Sequence, residues 1–230
     1  LTLRAARDRK TTLLGLGFLG IGVGDGAHGL GHVLADLYGG LPGQPTWADA
    51  FEAAATAVSV SLATFFFLTI RLYASLAKRG EFGLADRALG GLTLLTSALA
   101  FSSWAYLQAW RGFYMKLPGP WRPTVLALSV SAVLGMVAMG YAACFSFLSL
   151  AREKKRSADP VVAERYRYAF WAMLVMVAAV TLVLAHPFLV AKPVLLSVAT
   201  ALKTLFLVSS AFLLYTAVTG PEWFVRRLAA

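Results

Sequence analysis

The sequence is poor in charged residues and nearly devoid of cysteine. Only 14% of its 230 residues are Asp, Glu, Lys or Arg, whereas 59% are hydrophobic. Soluble domains average about 25% charged residues, so this chain has too little polar surface for a water-soluble globule. The single cysteine, Cys144, excludes an internal disulfide and a thiolate metal cluster. We therefore predict an integral membrane protein without disulfides.

The apolar residues occur in long runs rather than in the short alternating segments of a membrane β-barrel, which predicts helices. Six runs are long enough to cross a bilayer: 12–35, 52–74, 88–110, 123–150, 167–186 and 193–219. We predict an all-α fold, a single domain over residues 1–230 that forms a polytopic bundle of six transmembrane helices.

The positions of Lys and Arg predict the orientation in the membrane. Sixteen of them lie in the N-terminal segment, alternate connections and the C-terminal segment, namely 1–11, 71–87, 152–167 and 220–230. Only four lie in the other connections, 36–51, 111–123 and 187–193. By the positive-inside rule both termini are cytoplasmic in a multi-pass protein of the cell membrane.

The net charge of +10 does not predict nucleic-acid binding, because the basic residues lie in short loops between apolar runs. The predicted partners are the lipid bilayer and, as a further candidate, other membrane subunits.

One region lacks basic residues altogether. Between Thr11 and Ile70 there is no Lys or Arg, but two histidines and four carboxylates are present: His28, His32, Asp25, Asp36, Asp49 and Glu52. This first hairpin, at the predicted outer face, is expected to attract cations.

Four of these polar residues fall on one face of the first predicted helix. At about 100° per residue, Asp25, His28, His32 and Asp36 lie at about 0°, −60°, −20° and +20°. Ionisable groups inside a membrane are costly and indicate a functional site by default.

The same helix is rich in glycine, with eight glycines between Gly15 and Gly31. One interpretation is close helix packing, with Gly20/Gly24 and Gly22/Gly26 as small-xxx-small pairs. The other is a helix broken near Asp25 that lines a cavity, as in transporters.

Two histidines four residues apart can bind one metal ion from the same face of a helix. Gly29 follows the first histidine, where a zinc peptidase would have glutamate, so that activity is not expected. The candidate ligands are three histidines and three carboxylates that suit zinc, copper or iron: Asp25, His28, His32, Asp36, Glu52 and His186.

Two alternatives use other pairs of residues. A b-type haem needs ligands on facing helices, such as His28 and His186. Asp25 and Lys203 lie about 12 Å and about 14 Å below the predicted outer interface, at about 1.5 Å per residue, so they could form an ion pair or exchange protons.

Three functional hypotheses follow. The first is a metal- or haem-dependent membrane protein, either a redox-complex subunit or a membrane enzyme, with Glu52 as a supporting or proton-transfer group. The second is a cation- or proton-coupled transporter that uses Asp25 and Lys203. The third is a non-catalytic membrane subunit in which the polar stripe only mediates helix packing.

Overall fold

A computed structural model describes residues 9–40, 46–102, 121–156, 160–189 and 193–219. This part of the chain is 96% helical and contains no strand. Its helices are α1 (Arg9–Tyr38), α2 (Trp47–Arg79), α3 (Leu84–Ser102), α4 (Trp121–Arg156), α5 (Pro160–Leu189) and α6 (Pro193–Thr219).

Within the described ranges, five helical segments are long and apolar enough to cross a membrane: Thr12–Tyr38, Trp47–Arg79, Leu84–Ser102, Leu126–Arg156 and Ser197–Val218. They overlap five of the six predicted spans, confirm the all-α prediction and, by their length and composition, suggest a membrane-embedded protein. The remaining predicted span, 167–186, lies within α5, and its crossing of the bilayer stays a prediction. Several helices extend beyond the predicted runs because backbone hydrogen bonding continues into polar flanks.

The chain divides into two compact units. Unit 1 comprises Leu1–Tyr73 and Glu81–Met139, and unit 2 comprises Ala74–Gly80 and Gly140–Ala230. In unit 1, small buried side chains of α2, α3 and α4 form an apolar cluster, namely Ala57, Ala100 and Ala132. In unit 2, α5 packs along α6.

Within unit 1, α1 lies unusually close to α2 at glycines seven residues apart. A Cβ atom at Gly24 would lie 3.1 Å from Ser59 Cα, and one at Gly31 would lie 3.0 Å from Glu52 Cα. At Gly17, seven residues before Gly24, a Cβ atom would instead crowd the side chain of Thr69. Only a residue without a side chain lets the two backbones approach to this distance.

The continuous helix of α1 decides between the two interpretations of its glycines. No break occurs near Asp25, so close packing is correct and the broken helix is wrong. Only some glycines of the two predicted pairs contact α2. Gly24 packs against α2, whereas a Cβ at Gly22 or Gly26 would meet no described atom within 4 Å. The contact follows a seven-residue period because the two long helices pack nearly side by side.

The α1–α2 connection is fixed by Asp49 in the first turn of α2. Its buried carboxylate accepts hydrogen bonds from the backbone N–H groups of Gly40 and Thr46, both at 2.8 Å. The Thr46 hydroxyl donates to the carbonyl of Tyr38 at 2.7 Å. Thr46 and Asp49 have the spacing of a capping box, so the end of α1 is tied to the start of α2.

A similar contact begins α3. The fully buried Asp86 carboxylate accepts from the Gly83 backbone N–H at 2.8 Å and from Arg71 Nε of α2 at 3.2 Å. In unit 2, Arg165 of α5 donates from Nε to the Ala217 carbonyl at 2.8 Å and from its guanidinium to the Val218 carbonyl. A cation there satisfies carbonyl groups at the C-terminal end of α6.

Replacement of Gly24 by leucine should force α1 away from α2, since even a Cβ at this position crowds the α2 backbone. Overpacking costs about 1–3 kcal/mol, so the free energy of unfolding in detergent micelles should fall by about that amount. Titration with sodium dodecyl sulfate, followed by circular dichroism, measures this change. Gly22→Leu is the matched control because it faces open space. Equal losses in the two variants would contradict the close approach.

Candidate functional site

Three polar side chains of α1 lie opposite three of α2 in antiparallel order: Asp25, His28 and His32 opposite Ser59, Thr56 and Glu52. Each set repeats at intervals of three or four residues and therefore occupies one helical face. The close approach at Gly24 and Gly31 brings these two faces within hydrogen-bonding distance. We refer to His28, His32, Glu52 and Thr56 as the histidine cluster.

His32 is the centre of this cluster. Its Nδ1 lies 2.5 Å from Glu52 Oε1, and its Nε2 lies 3.1 Å from Nε2 of His28. The two rings meet edge to face, with centroids 4.3 Å apart. The His32 side chain is 52% exposed and that of Glu52 only 13%, so the cluster opens outward at His32 while its carboxylate is largely covered.

The Thr56 hydroxyl contacts both the Glu52 carbonyl and the ring of His28. It donates to the Glu52 carbonyl at 2.8 Å. A hydroxyl has one proton to donate, so while that proton is on the carbonyl the hydroxyl accepts from His28 Nδ1–H across 3.1 Å, and when it turns to the ring Nδ1 accepts instead. In the first of these tautomers the lone pair of the neutral ring is on Nε2, which faces His32.

In the tautomer with the His28 proton on Nδ1, the same reasoning applied to His32 makes the position between the two Nε2 atoms suited to a shared cation. When Glu52 is ionised, its carboxylate accepts from His32 Nδ1–H. A neutral His32 would then direct a second Nε2 lone pair at His28 across only 3.1 Å. A proton on one Nε2, or a metal ion bound to both, removes this repulsion.

Of the remaining predicted ligands, Asp25 and Asp36 lie on either side of the histidines along α1. Asp25 Oδ1 accepts from the Ser59 hydroxyl at 3.5 Å, the long limit of a hydrogen bond. Asp36 is exposed one turn beyond His32. Glu52 contacts Nδ1 of His32 rather than Nε2, so it holds the ring on the side away from His28, and its role as a ligand stays a prediction.

The predicted pairs that involve α5 and α6 stay predictions. The helix of α5 includes His186, but its side chain lies outside the described residues. Lys203 is half-buried on α6. Both belong to unit 2, whereas Asp25 and His28 belong to unit 1. The haem pair His28–His186 and the Asp25–Lys203 pair are therefore neither confirmed nor contradicted.

Thr56 and Ser59 were missed by the sequence analysis. They follow Glu52 by four and seven residues, a spacing that places all three on one face of α2. The signal was therefore present, but hydroxyls in apolar helices often bond only to the carbonyl four residues earlier. Thr56 makes that bond and also contacts His28.

The described ranges contain no group of three or more His, Cys, Asp or Glu side chains arranged to hold a metal ion. The histidine cluster instead offers two converging imidazole nitrogens, and each ring is held at its other nitrogen by an oxygen atom. Imidazole nitrogens bind both protons and transition-metal ions. No protein-family model, curated protein or solved structure matches this chain.

Proposed function

We propose that this integral membrane protein binds a transition-metal ion between the Nε2 atoms of His28 and His32. The observation that carries the proposal is the convergence of these nitrogens at 3.1 Å. Metal-bound histidines characteristically donate their other ring N–H to a carboxylate or another oxygen. Glu52 and Thr56 occupy these positions on His32 and His28.

The distance between the two nitrogens is close to that of two imidazoles bound to one ion. Nitrogens at about 2.0–2.1 Å from a tetrahedral zinc ion lie about 3.3 Å from each other. The observed separation is 3.1 Å, so it differs from that of two zinc-bound nitrogens by only a few tenths of an ångström, and the two rings would turn to direct both lone pairs at the ion. Imidazole ligands suit zinc, copper and iron alike.

Two protein nitrogens would leave coordination positions for water, a substrate or further ligands. Asp25, Asp36 and His186 remain the candidates to complete the set. Sites with open positions serve catalysis or ligand exchange, whereas closed four-ligand sites serve structure. We infer a metal-dependent membrane enzyme or a redox-complex subunit, with haem b on His28 and His186 as the alternative cofactor.

The proposed topology has six spans with both termini in the cytoplasm. Its support is the excess of Lys and Arg in alternate connections, sixteen against four. In this orientation the histidine cluster faces the outer leaflet of the cell membrane. A metal ion would then reach it from outside the cell, through the exposed face of His32.

Metal binding should depend on both histidines. The purified full chain, titrated with Zn²⁺ or Cu²⁺ against a chelator of known affinity, should bind about one ion. His28→Ala and His32→Ala should each weaken binding at least a hundredfold, because the single imidazole that remains cannot chelate the ion. Elemental analysis after dialysis provides an independent measurement.

Ser61→Ala is the matched control, since it removes a hydroxyl of α2 that donates to the Ala57 carbonyl and does not belong to the histidine cluster. It should retain binding within a few-fold. Undiminished binding in His28→Ala and His32→Ala would overturn the proposal, as would a wild-type chain that binds no metal. A visible haem band that disappears in His28→Ala and His186→Ala would favour the haem alternative.

Glu52 and Thr56, which contact the outer nitrogens of the two histidines, should affect the affinity for the metal ion rather than the number of ions bound. Outer-shell partners of ligating histidines contribute about 10- to 100-fold to metal affinity. We therefore expect Glu52→Gln and Thr56→Val to weaken binding by these factors while one ion still binds at saturation. Binding should strengthen as the pH rises, because the ion displaces the shared proton. Isothermal titration in buffers of different ionisation enthalpy measures that proton release, and its absence would contradict the shared-cation arrangement.

A second candidate function follows from the continuous hydrogen-bonded path through Thr56, His28, His32 and Glu52. If the shared cation is a proton, the cluster serves a proton-coupled transporter, in which Asp25 and Lys203 exchange protons or partners. Proteoliposomes distinguish the two functions. Metal-independent proton uptake that is abolished in both Asp25→Asn and Glu52→Gln would favour the transporter.

A further inference from the structure

Unit 2 contains a cavity of about 520 Å³ lined by residues from the end of α2 and one face of α4. The α4 residues that line it include Phe145, Ser149, Arg152 and Arg156. Their spacing of four, three and four residues places them on one side of the helix. We call this space the basic cavity.

Its charge is strongly positive. Three basic residues and one acidic residue line it, a net charge of +2: Lys78, Arg152, Arg156 and Glu153. Lys78 Nζ donates to Ser149 Oγ at 3.2 Å and lies 3.8 Å from Glu153 Oε2. Lys78 therefore balances the negative charge of Glu153. The net charge of +2 is that of the two arginines.

Arg152 and Arg156 make no hydrogen bond or ion pair with another residue in the described ranges. Both are exposed and face the same cavity from successive turns of α4. A guanidinium group presents a planar fork of N–H donors that matches the oxygens of a phosphate group. Two such groups one turn apart indicate a site for a phosphate anion.

The other end of the basic cavity is apolar, which favours the phosphate of a lipid over a free phosphate ion. Phe145 and Leu148 line that end, and Phe145 is 63% exposed. Phe145 and Arg156 are eleven residues apart, about 16 Å along a helix at about 1.5 Å per residue. A headgroup layer is only about 5–8 Å thick, so a cavity of this length with its basic end among the headgroups would extend beside the hydrocarbon chains.

We propose that the basic cavity binds an anionic phospholipid, with its phosphate on Arg152 and Arg156 and the start of an acyl chain along Phe145 and Leu148. The helix Leu126–Arg156 is long and apolar enough to cross a membrane, and both arginines lie at its basic end, which in a membrane would be at headgroup level. Basic pockets at this depth are suited to anionic headgroups. A soluble phosphate would use only the basic end, whereas a lipid uses both.

The full chain in detergent micelles, titrated with phosphatidylglycerol and followed by native mass spectrometry, tests this proposal. The wild-type protein should retain phosphatidylglycerol in preference to phosphatidylcholine. The double variant R152Q/R156Q should bind phosphatidylglycerol about 30-fold more weakly, the factor expected for two basic side chains near an anionic lipid.

The double variant K154Q/K155Q is the matched control, because it removes the same charge from the same helix without altering the lining of the cavity. It should bind within a few-fold of wild type. Equal weakening in the two double variants would overturn the proposal, as would equal retention of the two lipids by the wild type.

Two further measurements distinguish a lipid from a free anion. Phe145→Ser should weaken phosphatidylglycerol binding, and millimolar inorganic phosphate should fail to displace the lipid. If inorganic phosphate binds to the wild type, displaces the lipid and is unaffected by Phe145→Ser, the site is for a soluble anion and the proposal is wrong.

Discussion

The close approach of α1 to α2 is the constraint on which the histidine cluster depends. In a bilayer there is no hydrophobic force between apolar helices, so their association rests on van der Waals packing and hydrogen bonds. Glycine at positions 24 and 31 removes the side chains that would hold the two backbones apart. His28 then reaches Thr56, and His32 reaches Glu52. The close approach of the two backbones and the polar contacts of the histidines therefore depend on each other in this helix pair.

The polar residues contribute to that pairing in turn. A carboxylate or imidazole surrounded by hydrocarbon is costly unless it has a partner. Each polar side chain of α1 from Asp25 to His32 meets one on α2, and a helix register shifted by one residue would remove all these contacts together. The glycines permit the approach, while the polar side chains specify the register. The Asp49 and Thr46 contacts add a local tie where α1 and α2 connect.

Local properties of this chain were predictable from its sequence, and contacts between helices were not. The helices follow from apolar runs, and the stripe on α1 follows from the helical period. The role of Thr56 depends on which α2 residue lies opposite His28. That pairing is set by the register between the two helices, which neither helix sequence specifies by itself. Gly22 and Gly26 have the spacing of a packing pair, yet they face away from α2, because a small-residue motif does not specify which of several glycine faces is used. The sequence also could not show that Glu52 approaches the Nδ1 side of His32, a contact that agrees with the supporting role among the roles predicted for it.

The distribution of charge links the proton and metal interpretations of the histidine cluster. From Thr12 to Ile70 the chain has four carboxylates and no lysine or arginine, so the nearby residues of this hairpin add no positive charge that would oppose a cation. Weak screening at low dielectric makes that absence more important than it would be in water. When the Thr56 hydroxyl donates to the Glu52 carbonyl, the His28 proton lies on Nδ1, and an ionised Glu52 carboxylate accepts the corresponding proton of His32. In that arrangement the two Nε2 lone pairs face each other across 3.1 Å. Under the proposed function, a proton and a metal ion would compete for the position between them, and the pH and the local metal concentration would decide which of the two is bound.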